Sequence, residues 1–231
     1  MNAGAINANV WGMGEVDPVV EARESQIRAV KPRSTWDRER FAREQIRGLV
    51  RQVFTMQKPC PVRQVVFSAI EARTDVRSVC MRVGEALASE ARGSVAIVGS
   101  HSRSVEVQST GSEAEHLRKN AFVLGNGLCL LPAKDCSGHD YGASSVHAYM
   151  GEIRKEFEYS VVEGRPCGEC DEALEMAQFA DGIVLVISAE HTRRVMARKA
   201  VERLHEAQVR ILGTVLSDRE FPMPERLYHW L

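Results

Sequence analysis

The run Gly182-Ile183-Val184-Leu185-Val186-Ile187 constrains this chain more than any other stretch. Its apolar residues occupy consecutive rather than alternate positions, so a strand built from them must be covered on both faces. Further runs that read as strands lie at Arg63–Ala69, Ser94–Val98, Leu128–Leu131, Tyr159–Glu163 and Arg210–Leu216. Helical patterns separate them at Asp75–Ala91, Ala143–Phe157, Ala173–Phe179 and His191–Gln208. Strands that alternate with helices predict a mainly parallel sheet with right-handed crossovers and helices on both faces. In the last helix Val195, Met196, Ala200, Val201 and Leu204 are expected to point inward. The stretch from Ser102 to Gly127 is polar, apart from Val105, Val107 and Phe122–Leu124, and yields no element.

Upstream, Trp36–Met56 reads as a helix with the apolar stripe Phe41, Ile46, Leu49, Val50 and Phe54. Ser34 or Thr35 can cap it, and Lys58-Pro59-Cys60-Pro61 ends it because proline cannot continue a helix. Residues 1–34 mix Gly, Pro and Asn and are expected to form a flexible leader; residues 35–231 are expected to form one domain that includes the helix at 35–57. A chain of 231 residues at 44% hydrophobic can bury the core of such a domain. Its formal net charge of −1 argues against bulk nucleic-acid binding. Met1–Val10 lacks a basic region followed by an apolar run, and no apolar run reaches the length of a membrane span. A cytoplasmic protein is expected, and in that compartment its six cysteines are expected to be thiols, with Cys80 and Cys129 in the core.

The connection between the first strand and its helix carries the functional question. It reads Ile70-Glu71-Ala72-Arg73-Thr74-Asp75-Val76-Arg77-Ser78. A loop that cradles phosphate at this place needs glycines, so that successive backbone N–H groups can turn inward, together with a lysine and a metal-binding hydroxyl. This loop has no glycine and no lysine, and Glu71 and Asp75 would repel a triphosphate. Only Ser78 can stand in for the hydroxyl. Arg73 and Arg77 are either phosphate holders in place of the lysine or solvated helix-start residues balanced by the two carboxylates. Asp75 is well placed as a helix N-cap.

From about Arg43 to Leu231 the chain resembles the catalytic domain of the bacterial tyrosine kinases of capsule and exopolysaccharide synthesis, within the P-loop ATPases that include the partitioning and division-site ATPases. Gly127-Leu128-Cys129-Leu130-Leu131-Pro132-Ala133 resembles one family strand. Phe157-Glu158-Tyr159-Ser160-Val161-Val162-Glu163-Gly164-Arg165-Pro166 resembles the Walker B segment. Ala180-Asp181-Gly182-Ile183-Val184-Leu185-Val186, His191-Thr192-Arg193-Arg194 and Ile211-Leu212-Gly213-Thr214-Val215-Leu216-Ser217 follow in the family's order. The resemblance implies a three-layer α/β P-loop-type domain.

The departures from the family fall on its chemistry. The resemblance places the nucleotide site at Ala72, Arg73, Thr74, Asp75, Arg77, Ser78, Ser100, Glu163 and Ser217. Walker A is missing, Ser100 marks a strand end without the second aspartate, Glu163 replaces the Walker B aspartate, and Ser217 replaces the adenine-facing asparagine. Loss of the cradle, the lysine and one aspartate removes most of the electrostatic stabilisation that phosphoryl transfer depends on. The expectation is a catalytically degenerate protein without a cofactor. By resemblance its partner is a membrane polysaccharide co-polymerase or export protein, which would hold it at the inner face of the membrane. The alternative is an active tyrosine autokinase that takes ATP and Mg²⁺ on Arg77, Ser78 and Glu163, with Tyr228 as acceptor.

Two further constellations stay open. Cys167-Gly168-Glu169-Cys170 is a redox dithiol, half of a metal site completed by Cys136 and His139, or a pair of unrelated thiols. Glu44 and Arg47 match part of the family's self-association motif, which implies a homo-oligomer contact; at i, i+3 they can equally pair along their own helix. The tail Phe221–Leu231 is aromatic and either packs back on the domain or docks a partner.

Overall fold

The computed structural model of the chain describes residues 38–56, 61–91, 93–99, 117, 121–133 and 143–218. The leader, Ser34 and Thr35, Tyr228 and the rest of the tail lie outside the described residues. The strands are β1 (Gln64–Ala69), β2 (Val95–Gly99), β3 (Phe122–Gly125), β4 (Leu128–Pro132), β5 (Tyr159–Gly164), β6 (Gly182–Ser188) and β7 (Ile211–Ser217). The helices are α1 (Arg38–Val50), which continues as a π-helical turn over Arg51–Thr55, then α2 (Val76–Glu90), α3 (Ala143–Glu156), α4 (Glu172–Phe179) and α5 (Arg194–Glu206).

The sheet has seven strands in the order β3-β4-β2-β5-β1-β6-β7. All neighbours are parallel except β3 and β4. Period-two alternation sorts the side chains into two cores. Val65, Phe67, Ala69, Val161, Val184 and Val186 meet α1 and α2 on one face. Val66, Ile70, Val98, Val162, Ile183 and Leu185 meet α3, α4 and α5 on the other. The expected three-layer α/β architecture with a mainly parallel sheet is therefore the observed one. No helix among the described residues is long and apolar enough to cross a membrane.

Local expectations fail at three places. The stretch read as featureless ends in β3, which pairs antiparallel with β4 through a hairpin at Asn126-Gly127. Both turn residues have positive φ, 50° and 74°, which is what a tight primed turn requires. Asn-Gly between Phe122-Val123-Leu124 and Leu128-Cys129-Leu130 was the available signal. Because β3 is an edge strand with exposed side chains, Cys129 opposite Val123 is only partly buried and is not a core residue. In α5, Ala200 and Leu204 are buried, but Val195 is 65% exposed, because it lies about two and a half turns before Leu204 and so on the opposite face of the helix, while Met196 and Ala197 beside it pack on the core.

Asp181 fastens the start of β1. Its Oδ2 accepts hydrogen bonds from the backbone N–H groups of Arg63 at 2.7 Å and Gln64 at 2.8 Å. Its Oδ1 accepts from the Arg154 guanidinium of α3. The carboxylate thus ties the central strand to β6 and to the helix layer. Asp181→Ala leaves these donors without their acceptor and is expected to cost about 2–4 kcal/mol. Urea unfolding of the two proteins measures it.

Candidate functional site

β1 lies between β5 and β6, at the point where successive crossovers leave in opposite directions. In open α/β sheets the crevice beyond the carboxyl ends of the strands at such a point is where ligands bind. Two loops meet there. One runs from Ile70 to Asp75 and connects β1 to α2; the other runs from Arg165 to Asp171 and connects β5 to α4.

The second loop is stitched onto the first. Cys167 N–H donates to the Ala69 carbonyl at 2.9 Å and lies 3.1 Å from the Ser68 hydroxyl. Ser68 Oγ donates in turn to the Arg165 carbonyl at 2.7 Å. Gly168 N–H reaches the Ile70 carbonyl at 3.2 Å. That approach requires glycine, since a Cβ here would stand 2.3 Å from the Ile70 oxygen. Beside it Glu169 Oε1 accepts from Ala72 N–H at 2.9 Å.

The start of α2 is closed in the same manner. Asp75 is the N-cap and accepts from Ser78 N–H at 3.0 Å. Ser78 Oγ donates to the same carboxylate at 2.5 Å. The Asp75 carboxyl is held below the ordinary range, first by the Ser78 hydroxyl, then by the Ser78 N–H, with Arg77 and Arg82 adding smaller attractions and burial opposing. Backbone donors that could face a phosphate, at Ala72 and Ser78, thus face the protein's own carboxylates.

The remaining candidates separate in space. Glu163 is registered opposite Phe67 on β1, so it points toward the α2 face. Its charge, with that of Asp75, adds to burial in pushing the Cys80 thiol well up. Arg73 and Arg77 are exposed. Thr74 is 7% exposed, and its hydroxyl meets no hydrogen-bond partner among the described residues. Ser217 ends β7, two strands from β1, where its hydroxyl donates to Asp218 at 3.0 Å. Ser100 lies outside the described residues, as do Cys136 and His139, so the four-ligand metal set has only Cys167 and Cys170 in view. Among the described residues no group of three metal-type ligands occurs.

On α1, Glu44 pairs with Arg40 at 3.4 Å rather than with Arg47, because the i, i+4 arginine lies along its row of the helix surface. Of the two readings left open for Glu44 and Arg47, the pair along the helix is replaced by Arg40–Glu44. Arg51 reaches Glu90 at the end of α2, at 3.5 Å. Sequence reasoning noted Cys167-Gly168-Glu169-Cys170 for its thiols and missed Gly168 and Glu169, which make the contacts. A glycine beside an acid in the loop after the central strand's neighbour was the signal.

The fold is shared with solved structures of low sequence identity. The kinase domain of VpsO is 16% identical with a TM-score of 0.60, over 79% of this chain and 98% of that one. The kinase domain of the Escherichia coli tyrosine kinase ETK is 14% identical with a TM-score of 0.55, over 79% of each chain. A plasmid partition protein from Borrelia burgdorferi is 10% identical with a TM-score of 0.53, over 74% of this chain and 85% of that one. The sequence matches no family model and no curated protein. The resemblance carried by the sequence motifs and the likeness in three dimensions fall on the same group, bacterial tyrosine kinase domains and partitioning ATPases.

Asp75→Ala is expected to destabilise the domain by about 1 kcal/mol through loss of the cap. Because folding lowers the Asp75 pKa, this stabilisation is fully present above the ordinary value of 3.8 and is lost as pH falls through the folded value. Denaturation midpoints of the two proteins should therefore differ at neutral pH and converge in acid. Thr74→Val, which removes a buried hydroxyl without a partner, is expected to leave stability unchanged or raise it by about 1 kcal/mol in the same assay.

Proposed function

We propose that this chain is a catalytically degenerate protein of the exopolysaccharide tyrosine-kinase type. It works through its surfaces, as a partner of a membrane polysaccharide co-polymerase or export assembly at the cytoplasmic side. The observation that carries this reading is the Glu169 carboxylate on Ala72 N–H. An anion site is a set of unsatisfied N–H donors with a positive helix end behind them. Here an internal anion occupies one such donor at the switch point, and Asp75 occupies another at the start of α2. A phosphate entering this place would have to displace two carboxylates and would gain neither a lysine nor a glycine cradle in return.

The same contacts weigh against an active autokinase on Arg77, Ser78 and Glu163. A metal-binding hydroxyl has to be free to face Mg²⁺, whereas Ser78 Oγ is already committed to Asp75. The partner and the setting rest on the resemblance, since fold alone does not fix function. The kinase domains that share this fold support the choice of family type and no more.

Calorimetric titration of the full chain with ATP and with ADP, each with and without Mg²⁺, tests the reading. The expected result is no binding at near-millimolar nucleotide. Micromolar, Mg²⁺-dependent binding that disappears in Ser78→Ala and Glu163→Gln would overturn it in favour of the autokinase.

A further inference from the structure

The turn that bears Glu169 also bears two thiols. Pro166 O accepts from Glu169 N–H and from Cys170 N–H, both at 3.1 Å, so residues 166–170 form one helical turn. Side chains three apart on such a turn share a face, with Cβ atoms about 5–6 Å apart. A disulfide asks for Cα atoms about 4.4–6.8 Å apart and Cβ atoms about 3.5–4.5 Å apart. Cys167 and Cys170 are both thiols in the structure, and closing the bond draws their Cβ atoms together by about 1–2 Å through a tightening of the turn.

The two sulfurs differ in access. Cys167 is fully buried, while Cys170 is half-buried and precedes the start of α4. Cys170 Sγ donates to the Pro166 carbonyl at 3.4 Å, a weak bond that a reacting disulfide can replace. The Arg203 guanidinium binds the Cys167 carbonyl at 2.8 Å and also binds Asp171, so a fixed positive charge stands beside the dithiol. Burial raises the Cys167 thiol, and the Ser68 hydroxyl and Arg203 partly oppose that. A buried partner behind an accessible thiol is the arrangement of an attacking and a resolving cysteine.

We propose that Cys167 and Cys170 are a reversible thiol–disulfide exchange site for small disulfides of the glutathione type. Cys170, as thiolate, attacks one sulfur of the disulfide; that S–S bond breaks and one thiolate leaves, taking up the proton Cys170 gave to solvent. Cys167 then loses its proton and attacks the Cys170 sulfur, which expels the second thiolate. Two protein thiols become one disulfide, and the small disulfide becomes two thiols. The product ring closes the turn that holds Glu169 on Ala72 N–H, so oxidation fastens that contact. The exchange is independent of whether nucleotide binds.

The test incubates the native full chain in oxidised glutathione, blocks remaining thiols with iodoacetamide, and maps the peptides by mass spectrometry. The expected result is a Cys167–Cys170 link that reduced glutathione reverses, with slower hydrogen exchange at Ala72 in the oxidised chain. Cys167→Ser is expected to retain one glutathione on Cys170, and Cys170→Ser to leave Cys167 reduced. The proposal fails if wild type keeps both thiols, if either cysteine links instead to Cys60 or Cys136, or if the link forms only after denaturation. Because wild type alone decides those outcomes, a variant that does not fold leaves the test intact.

Discussion

Complete burial of β1 is the constraint on which the rest of this structure depends. Every residue from Gln64 to Ala69 is buried, with strands on both edges and helices on both faces. A strand with no access to water must have its polar groups satisfied by protein. At its start Asp181 takes two backbone N–H groups, and the Gln64 side-chain amide reaches the Met150 carbonyl at 3.1 Å. At its end Ser68 and the carbonyls of Ala69 and Ile70 are taken by the loop after β5. That last set of bonds brings Glu169 and the dithiol over the switch point.

This makes the site a consequence of how the strand is closed. In a nucleotide-binding protein of this fold the loop after the central strand stays open, because its N–H groups await a phosphate. Here the donor at Ala72 is matched from within, and the start of α2 is matched by Asp75. Internal carboxylates accept from these two donors, so the loop satisfies them without a glycine. The Cys80 thiol is pushed up first by burial, and Glu163 and Asp75 add to it.

The layer order was legible because burial on both faces leaves a periodic mark in the residues. Consecutive apolar positions announced β6, and the helix after β1 was readable from Asp75 as cap to Ala91 as its end. The antiparallel edge was missed because polarity over the preceding stretch outweighed the Asn126-Gly127 turn signal. Val195 was misplaced because it was grouped with residues of the opposite helix face, whereas Met196 and Ala197 beside it are the first-turn residues that pack on the core. The sequence left the Glu44 partner open because several arginines lie within reach along one helix, and only side-chain geometry selects Arg40.

By itself the sequence determined the fold class and a loop after the first strand without glycine or lysine, since residue types and apolar periods are local properties of the chain. It also determined the cap at Asp75, which acts on residues three positions away. Only the tertiary structure decided what meets that loop. Glu169 and Ala72 are 97 residues apart in the chain, and so are Ser68 and Arg165. No pattern of spacing reveals that those pairs meet. They meet because β5 lies beside β1 in register, which places the loop after one strand over the loop after the other.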